Sequence, residues 1–478
     1  MQNTANSRSA ADLDLGLNDL GPLAWVLDEL RKSLDGANKA LKRFVRDAEA
    51  ARGSDLAALD SSQLRIARQQ LHQAVGALEM VGLGAPAVVL RAMETAAQKF
   101  VQRPEQCSAQ AVAQVERASF ALTEYLENVL AGKGAPSVAL FPQYREVQTI
   151  NAAERIHPAD LWTHEWRWIS IPLVPAADSA QAVTRAQMDP LLLRVVKTLD
   201  PQAAAALKEE SLQLATAASD KKQRNFWMIA AAYFESLSHS KLPSDMYVKR
   251  AASRVLLQFT TLSKGDSEVS ERLAHDLLFF CAQAGVDASA PVLTLVRQTY
   301  GLADYKPVDY EFSTFGRFDP TVLQQARKRV LAAKESWSHV TGGDTTKLKA
   351  VVDQFSLVTD SLTRLHPPSQ ALAQALNRTA ESLSRAGKPP STEVSMEVAT
   401  SVLYLEAAFE DLDPNDTALT ERTARLAQRL EAVRGGAQPE PLESWMEDLY
   451  RRVSDKQTMG SVVDELRVGS IVLVDQQM

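Results

Sequence analysis

Apolar residues recur at alternating steps of three and four along almost the whole chain, and only a helix gathers such positions onto one face. From residue 27 the stripe runs Leu27, Leu30, Leu34, Ala37, Leu41 and Phe44. A second starts after Ser62, an N-cap residue type, and runs Leu64, Ala67, Leu71, Val75, Leu78 and Val81. "GLGAP" ends it and places Pro86 in the first turn of the next helix, which carries Leu90, Met93, Ala97 and Val101. A fourth stripe joins Val112, Val115, Ser119, Leu122, Leu126 and Val129 before "AGKGAP" stops it. Each stripe needs the others to cover it, so residues 20–135 are expected to form an antiparallel four-helix bundle.

The pattern then repeats. "SVALFPQYREVQTINAAERIHPADLW" shows no sustained period and reads as an extended linker over 136–160. Helix-length segments such as "NFWMIAAAYFESL" and "LAHDLLFFCAQAG" fill 161–300 as a second bundle. The aromatic, Gly- and Pro-containing stretch at 301–318 reads as another linker, and 319–437 as a third bundle. Residues 438–478 read as the start of a further helix ending in "VGSIVLVDQQM", and 1–19 as a disordered tail. The expected fold is all-α: tandem bundles of four-helix type joined by linkers.

Several function classes drop out on charge and motif. A formal net charge of −7 offers no nucleic-acid surface. No apolar run approaches the roughly 20 residues a bilayer requires, and the first twenty residues are polar and acidic. The expected location is therefore cytoplasmic, with any recruitment to a membrane left to partners. Cys107 and Cys281 fit the reduced thiols of that compartment and no metal spacing.

No phosphate-cradling Gly-rich loop is present. "TGGDTTK" at 341–347 has the wrong spacing and reads as a turn with an N-cap. His157, His164 and Glu165 lack zinc spacing, and Trp162, Trp166 and Trp168 read as anchors of that segment. His239 and His366 fall at helix ends, while His275 and His339 lie within helices as surface or boundary residues. No "GxSxG" elbow or assembled nucleophile triad is visible, so neither an enzyme nor a cofactor is expected.

His72 differs from the others. On a helix it shares a face with Arg68, Gln69, Val75, Gly76 and Glu79, beside the Leu71 stripe. Glycine inside a helix costs about 1 kcal/mol relative to alanine, yet Gly76 sits one turn beyond the imidazole. The gap it leaves would admit a partner to that face. A neutral imidazole there is also a potential phosphoryl acceptor, being nucleophilic near neutral pH.

"HQAVGALEMVGL" resembles the histidine-phosphotransfer (Hpt) signature His-x-x-Lys-Gly-Ser/Ala, matching at His72, Gly76 and Ala77, with Val75 at the lysine position. The longer run "LAWVLDELRKSLDGANKALKRFV…LHQAVGALEMVGLGAPAVVLRAMETAAQKFV" resembles the N-terminal region of ChpA/PilL-type chemotaxis sensor kinases of the type IV pilus (twitching) system. It is also similar to FimL, a free-standing relative of that region. Later segments, including "FDPTVLQQARKRVLAAKESW" and "MEVATSVLYLEAAFEDL", extend the resemblance, with non-histidine residues near Trp227 and Phe355 at the acceptor level. The resemblance implies a non-catalytic scaffold docking response-regulator receiver domains or pilus regulatory proteins. Its alternative is a phosphotransfer module with His72 as acceptor, from which Val75 removes the cation that steadies the phosphoryl group.

Overall fold

The computed structural model describes residues 20–51, 59–177, 182–413 and 416–456. All regular structure among them is helical. The chain divides into two compact units at Arg317 and Phe318. The expected tail over 1–19 and the "VGSIVLVDQQM" segment lie outside the described residues.

Four long helices open the first unit: α1 (Gly21–Ala50), α2 (Ser62–Val81), α3 (Gly84–Gln102) and α4 (Ala109–Leu130). They pack in a closed ring, α1 on α2 and α4, and α3 on the same two. Leu30, Leu71, Met93 and Leu122, one from each stripe, are at most 1% exposed. Burying a leucine of this kind is worth about 1.5–3 kcal/mol, so the stripes alone explain the ring. The N-cap of α2 is Ser61 and not Ser62, whose hydroxyl donates to Asp60. Gly82 closes α2 with a left-handed backbone, φ +81°, and Ser108 caps α4 by accepting from the Ala111 amide. Inside the ring, Asn38 donates to the Ser119 hydroxyl at 2.8 Å, joining α1 to α4.

The segment read as a linker over 136–160 is not one. A 3₁₀ turn, Ser137–Leu140, leads into α5 (Phe141–Ile150), which packs on α3 and α4. Val138, Leu140, Phe141, Tyr144 and Val147 are all buried. The helix is only 10 residues long with Pro142 in its first turn, too short to show a sustained period.

Six further helices complete the unit: α6 (Arg185–Thr198), α7 (Pro201–Ala217), α8 (Lys221–Ser238), α9 (Met246–Ser263), α10 (Glu271–Gln283) and α11 (Pro291–Thr299). Every residue of α8 from Asn225 to Leu237 is buried, which makes it the axis that α7, α10 and α11 enclose. Glu235 on α8 is 1% exposed and accepts the Leu293 amide at 2.7 Å, capping α11 with a carboxylate at its positive end. Buried Arg297 donates to the carbonyls of Cys281, Ala282, Leu302 and Tyr305.

Two irregular straps bind this block and the first bundle into one core. Over 151–176, Arg155 donates to both oxygens of Asp276 on α10 at 2.8 and 3.0 Å, and to Asp160 at 2.9 Å. Trp162 lies on the His275 ring at 5.0 Å, and Trp166 stacks on Tyr300. The expected linker over 301–318 is the second strap. Phe315 meets Tyr125 edge-on, its carbonyl accepts from Gln143 at 2.7 Å, and Gly316 donates to Glu124 at 3.0 Å. Both expected linkers are therefore packed pieces of the unit, and their aromatic residues are the reason.

The second unit holds α12 (Pro320–Thr341), α13 (Leu348–Leu365), α14 (Gln370–Ala386), α15 (Thr392–Glu410) and α16 (Thr417–Arg434). The ring here has five members: α12 packs on α13 and α15, α14 on α13 and α16, and α15 on α16. Trp337, Phe355, Leu376, Leu405 and Leu430 fill it. A further helix, described over 444–456, buries Met446 and Leu449 in the same core. Arg429, with its side chain 2% exposed, pairs with Glu397 and donates to the carbonyls of Glu440 and Pro441, fixing the approach to that helix.

Two outcomes are expected of the straps. Gly316 has φ +74°, and a Cβ there would lie 2.7 Å from the Arg117 carbonyl oxygen. Gly316→Ala should therefore destabilise the unit by about 2 kcal/mol or more, read as a lowered urea midpoint. Burial holds the His157 imidazole down at about 3 and His164 at about 4, and lowers His275, with Arg155, Arg254, Asp160, Asp276 and Arg272 around them. These folded values lie below the unfolded one, so the stability they protect is complete above about pH 6.5 and falls as pH drops toward 4. His157 alone should account for about 2 kcal/mol lost by pH 5, and His157→Gln should flatten that part of the pH profile.

Candidate partner-docking face around His72

α2 turns into α3 across Gly82 and Leu83, which sets the two helices side by side in opposite directions. His72 lies in the middle of α2 with its side chain 63% exposed. Its Nδ1 lies 2.7 Å from Oε1 of Glu94 on α3. One turn or two further on, Arg91 Nε donates to Glu79 Oε1 at 2.7 Å. Two polar contacts thus cross the α2–α3 seam on the solvent side. A carboxylate at Nδ1 selects the tautomer with the proton on that nitrogen, which leaves the Nε2 lone pair facing outward.

Arg68, Gln69, His72, Gly76 and Glu79 are exposed together, as their spacing predicts. Arg68 has no hydrogen-bond or ion-pair partner among the described residues. A Cβ on Gly76 would meet nothing within 4 Å, so the glycine leaves open space and no internal packing requires it. Val75 does not belong with them. It is 6% exposed and faces the ring interior with Leu71, Ala74 and Leu78, because it falls on the apolar stripe. The face therefore comprises five of the six residues expected of it.

Sequence reasoning missed three contributors. Glu94 and Arg91 sit on another helix, where only the α2–α3 pairing reveals them. Met80 is 82% exposed and continues the row from His72 through Gly76 at steps of four, a spacing that could have found it. Trp25 on α1 is 86% exposed.

The remaining candidates stay structural. His239 and His366 are the C-cap residues of α8 and α13, and His366 is buried against the Ser369 hydroxyl. His275 is half-buried in α10 and His339 exposed in α12. In "TGGDTTK", Asp344 caps a 3₁₀ turn by accepting from Thr346. Trp227 and Phe355 are buried core residues. Both thiols are buried, which pushes Cys107 up to about 12 and Cys281 higher still. Among the described residues no cluster of three metal-ligating side chains occurs. None of their helices is long and apolar enough to cross a membrane.

The class defined by this architecture is all-α among the described residues, with the His72 face exposed on a helix surface. Residues 175–313 match the family model described as the FimL scaffold protein second domain. This part of the chain, from the first strap's end through α6–α11 into the second strap, is thus similar to that domain. No curated protein and no solved structure matches the chain.

Proposed function

We propose that the protein is a non-catalytic scaffold of a type IV pilus chemosensory two-component pathway. In this reading residues 20–135 are an Hpt-like bundle whose His72 face docks a response-regulator receiver domain, while polar pilus regulators bind elsewhere on the chain. The match of residues 175–313 to a scaffold family carries the proposal. The open space at Gly76, flanked by unpaired Arg68 and exposed Met80, supports the choice of face. The protein acts in the cytoplasm and reaches the cell pole through its partners.

A titration calorimetry series with the pathway's receiver domains tests this. Gly76→Arg should leave the fold intact, since nothing opposes a side chain there, and weaken receiver binding by about tenfold, or about 1.4 kcal/mol. His72→Gln should change the affinity less than twofold, a difference of under about 0.4 kcal/mol. Equal binding by Gly76→Arg and wild type would remove this face from the docking surface.

The contact between His72 and Glu94 favours a second reading, phosphotransfer. Nε2 would form the N–P bond as the phosphorus–oxygen bond to the donor breaks, and Glu94 would balance the charge that develops on the imidazole. With the pathway's kinase core, that reading requires acid-labile phosphate on the wild type, none on His72→Gln and a markedly slower rate on Glu94→Gln. The scaffold reading expects no phosphohistidine in any of the three.

A further inference from the structure

A second feature lies far along the chain from His72, where the first strap crosses α9. Glu154, Arg155, His157, Tyr247, Arg250, Arg254 and Asp276 line a small cleft of about 30 Å³. A water needs roughly 10–15 Å³ of such space, so the cleft admits about two water-sized atoms. Its charges are unequally matched. Asp276, 1% exposed, already has both oxygens taken by Arg155, and Arg254 reaches it only at 3.7 Å. Arg250 has no hydrogen-bond or ion-pair partner among the described residues. Arg155 is also shared with Asp160 at 2.9 Å, which Arg272 meets at 3.6 Å, so the guanidiniums of Arg155, Arg250, Arg254 and Arg272 stand against the carboxylates of Glu154, Asp160 and Asp276, with Glu154 exposed at the rim.

Arg250 and Arg254 stand one turn apart on α9, so two like charges share one face without an intervening acid. A guanidinium presents a planar fork of donors suited to the two oxygens of a carboxylate. The surplus of one positive charge and the room for two oxygen-sized atoms both fit that group. We propose that the cleft is a carboxylate-binding site, with Arg250 and Arg254 as its donors and the Arg155–Asp276 pair as its rigid floor. The carboxylate comes from an acidic side chain of a bound polypeptide or from a small free acid. This site is separate from the His72 face and stands whether or not that face docks a receiver domain.

The test follows the arginine Nε–H resonances of the full chain by NMR during titration with sodium acetate, with sodium chloride as the ionic-strength control. Acetate should give saturable shifts with a dissociation constant on the order of 10 mM, and chloride should not. Arg250→Gln/Arg254→Gln should abolish the saturable response as read at Arg155. Glu154→Gln, which removes the competing rim carboxylate, should tighten acetate binding. A capped Leu-Glu-Leu tripeptide binding about tenfold more tightly than acetate identifies a polypeptide side chain as the ligand, and equal affinities identify a free acid. Shifts that follow ionic strength alike for acetate and chloride, or that persist in the double variant, overturn the proposal.

Discussion

The carboxylate of Asp276 is buried almost completely, and a buried charge of this kind is tolerated only when its oxygens are fully engaged. Arg155 supplies that engagement from outside the helical block, with two donors at hydrogen-bond distance. The same guanidinium donates to Asp160, whose other oxygen accepts from the Tyr144 hydroxyl on α5. One buried negative charge therefore requires the strap to stay on α10, and the strap's aromatic residues then seal the surface between them. Removing Arg155 would leave Asp276 with only the longer contact from Arg254 at 3.7 Å, a larger loss than that of an exposed ion pair. This charge fixes the first strap, and the Phe315 and Gly316 contacts of the second strap join the same two blocks independently of it.

The long amphipathic helices were legible from the sequence because each carries its own period, whereas the short α5 was not. Leu27 through Phe44 and Val112 through Val129 mark the core faces of α1 and α4 without reference to any neighbour. The straps were legible only at Trp162, Trp166 and Trp168, read as anchors and found packed on α10 and Tyr300, because the rest of their packing has no period. Phe141, Tyr305, Tyr310 and Phe315 are buried by contacts with distant elements, and a residue-by-residue reading sees only aromatics among prolines and glycines. The ring of five helices in the second unit was hidden for a related reason: a stripe shows that a helix is covered, not by how many others.

The same distinction governs the His72 face. Arg68, Gln69, His72, Gly76 and Glu79 follow from helix geometry, and the structure exposes them all. Val75 was ambiguous in the sequence, lying both on the apolar stripe and beside His72, and core packing resolved it inward. That placement bears on the departure from the Hpt signature. A lysine at this position would have to carry its ammonium out of the core past Leu71 and Leu78, along a stem of four methylenes. Valine ends inside the ring, where it packs with Leu71 and Leu78 and places no cation on the surface.

Glu94 changes what the imidazole can do, and it is the contributor no linear pattern contains. An exposed histidine with both nitrogens in water samples two tautomers and several ring orientations. The contact at Nδ1 from α3 restrains the His72 ring and leaves its Nε2 without a protein partner among the described residues. Such an arrangement serves recognition and phosphoryl transfer alike, since both need one nitrogen presented in a fixed direction. What separates them is the surrounding charge. A transferred phosphoryl group brings close to two negative charges, and Glu94 and Glu79 already stand on that seam with Arg91 committed to Glu79. Arg68 is the remaining uncommitted cation on the face, one turn before His72. The charges on this face thus support the proposed docking role over the phosphotransfer reading.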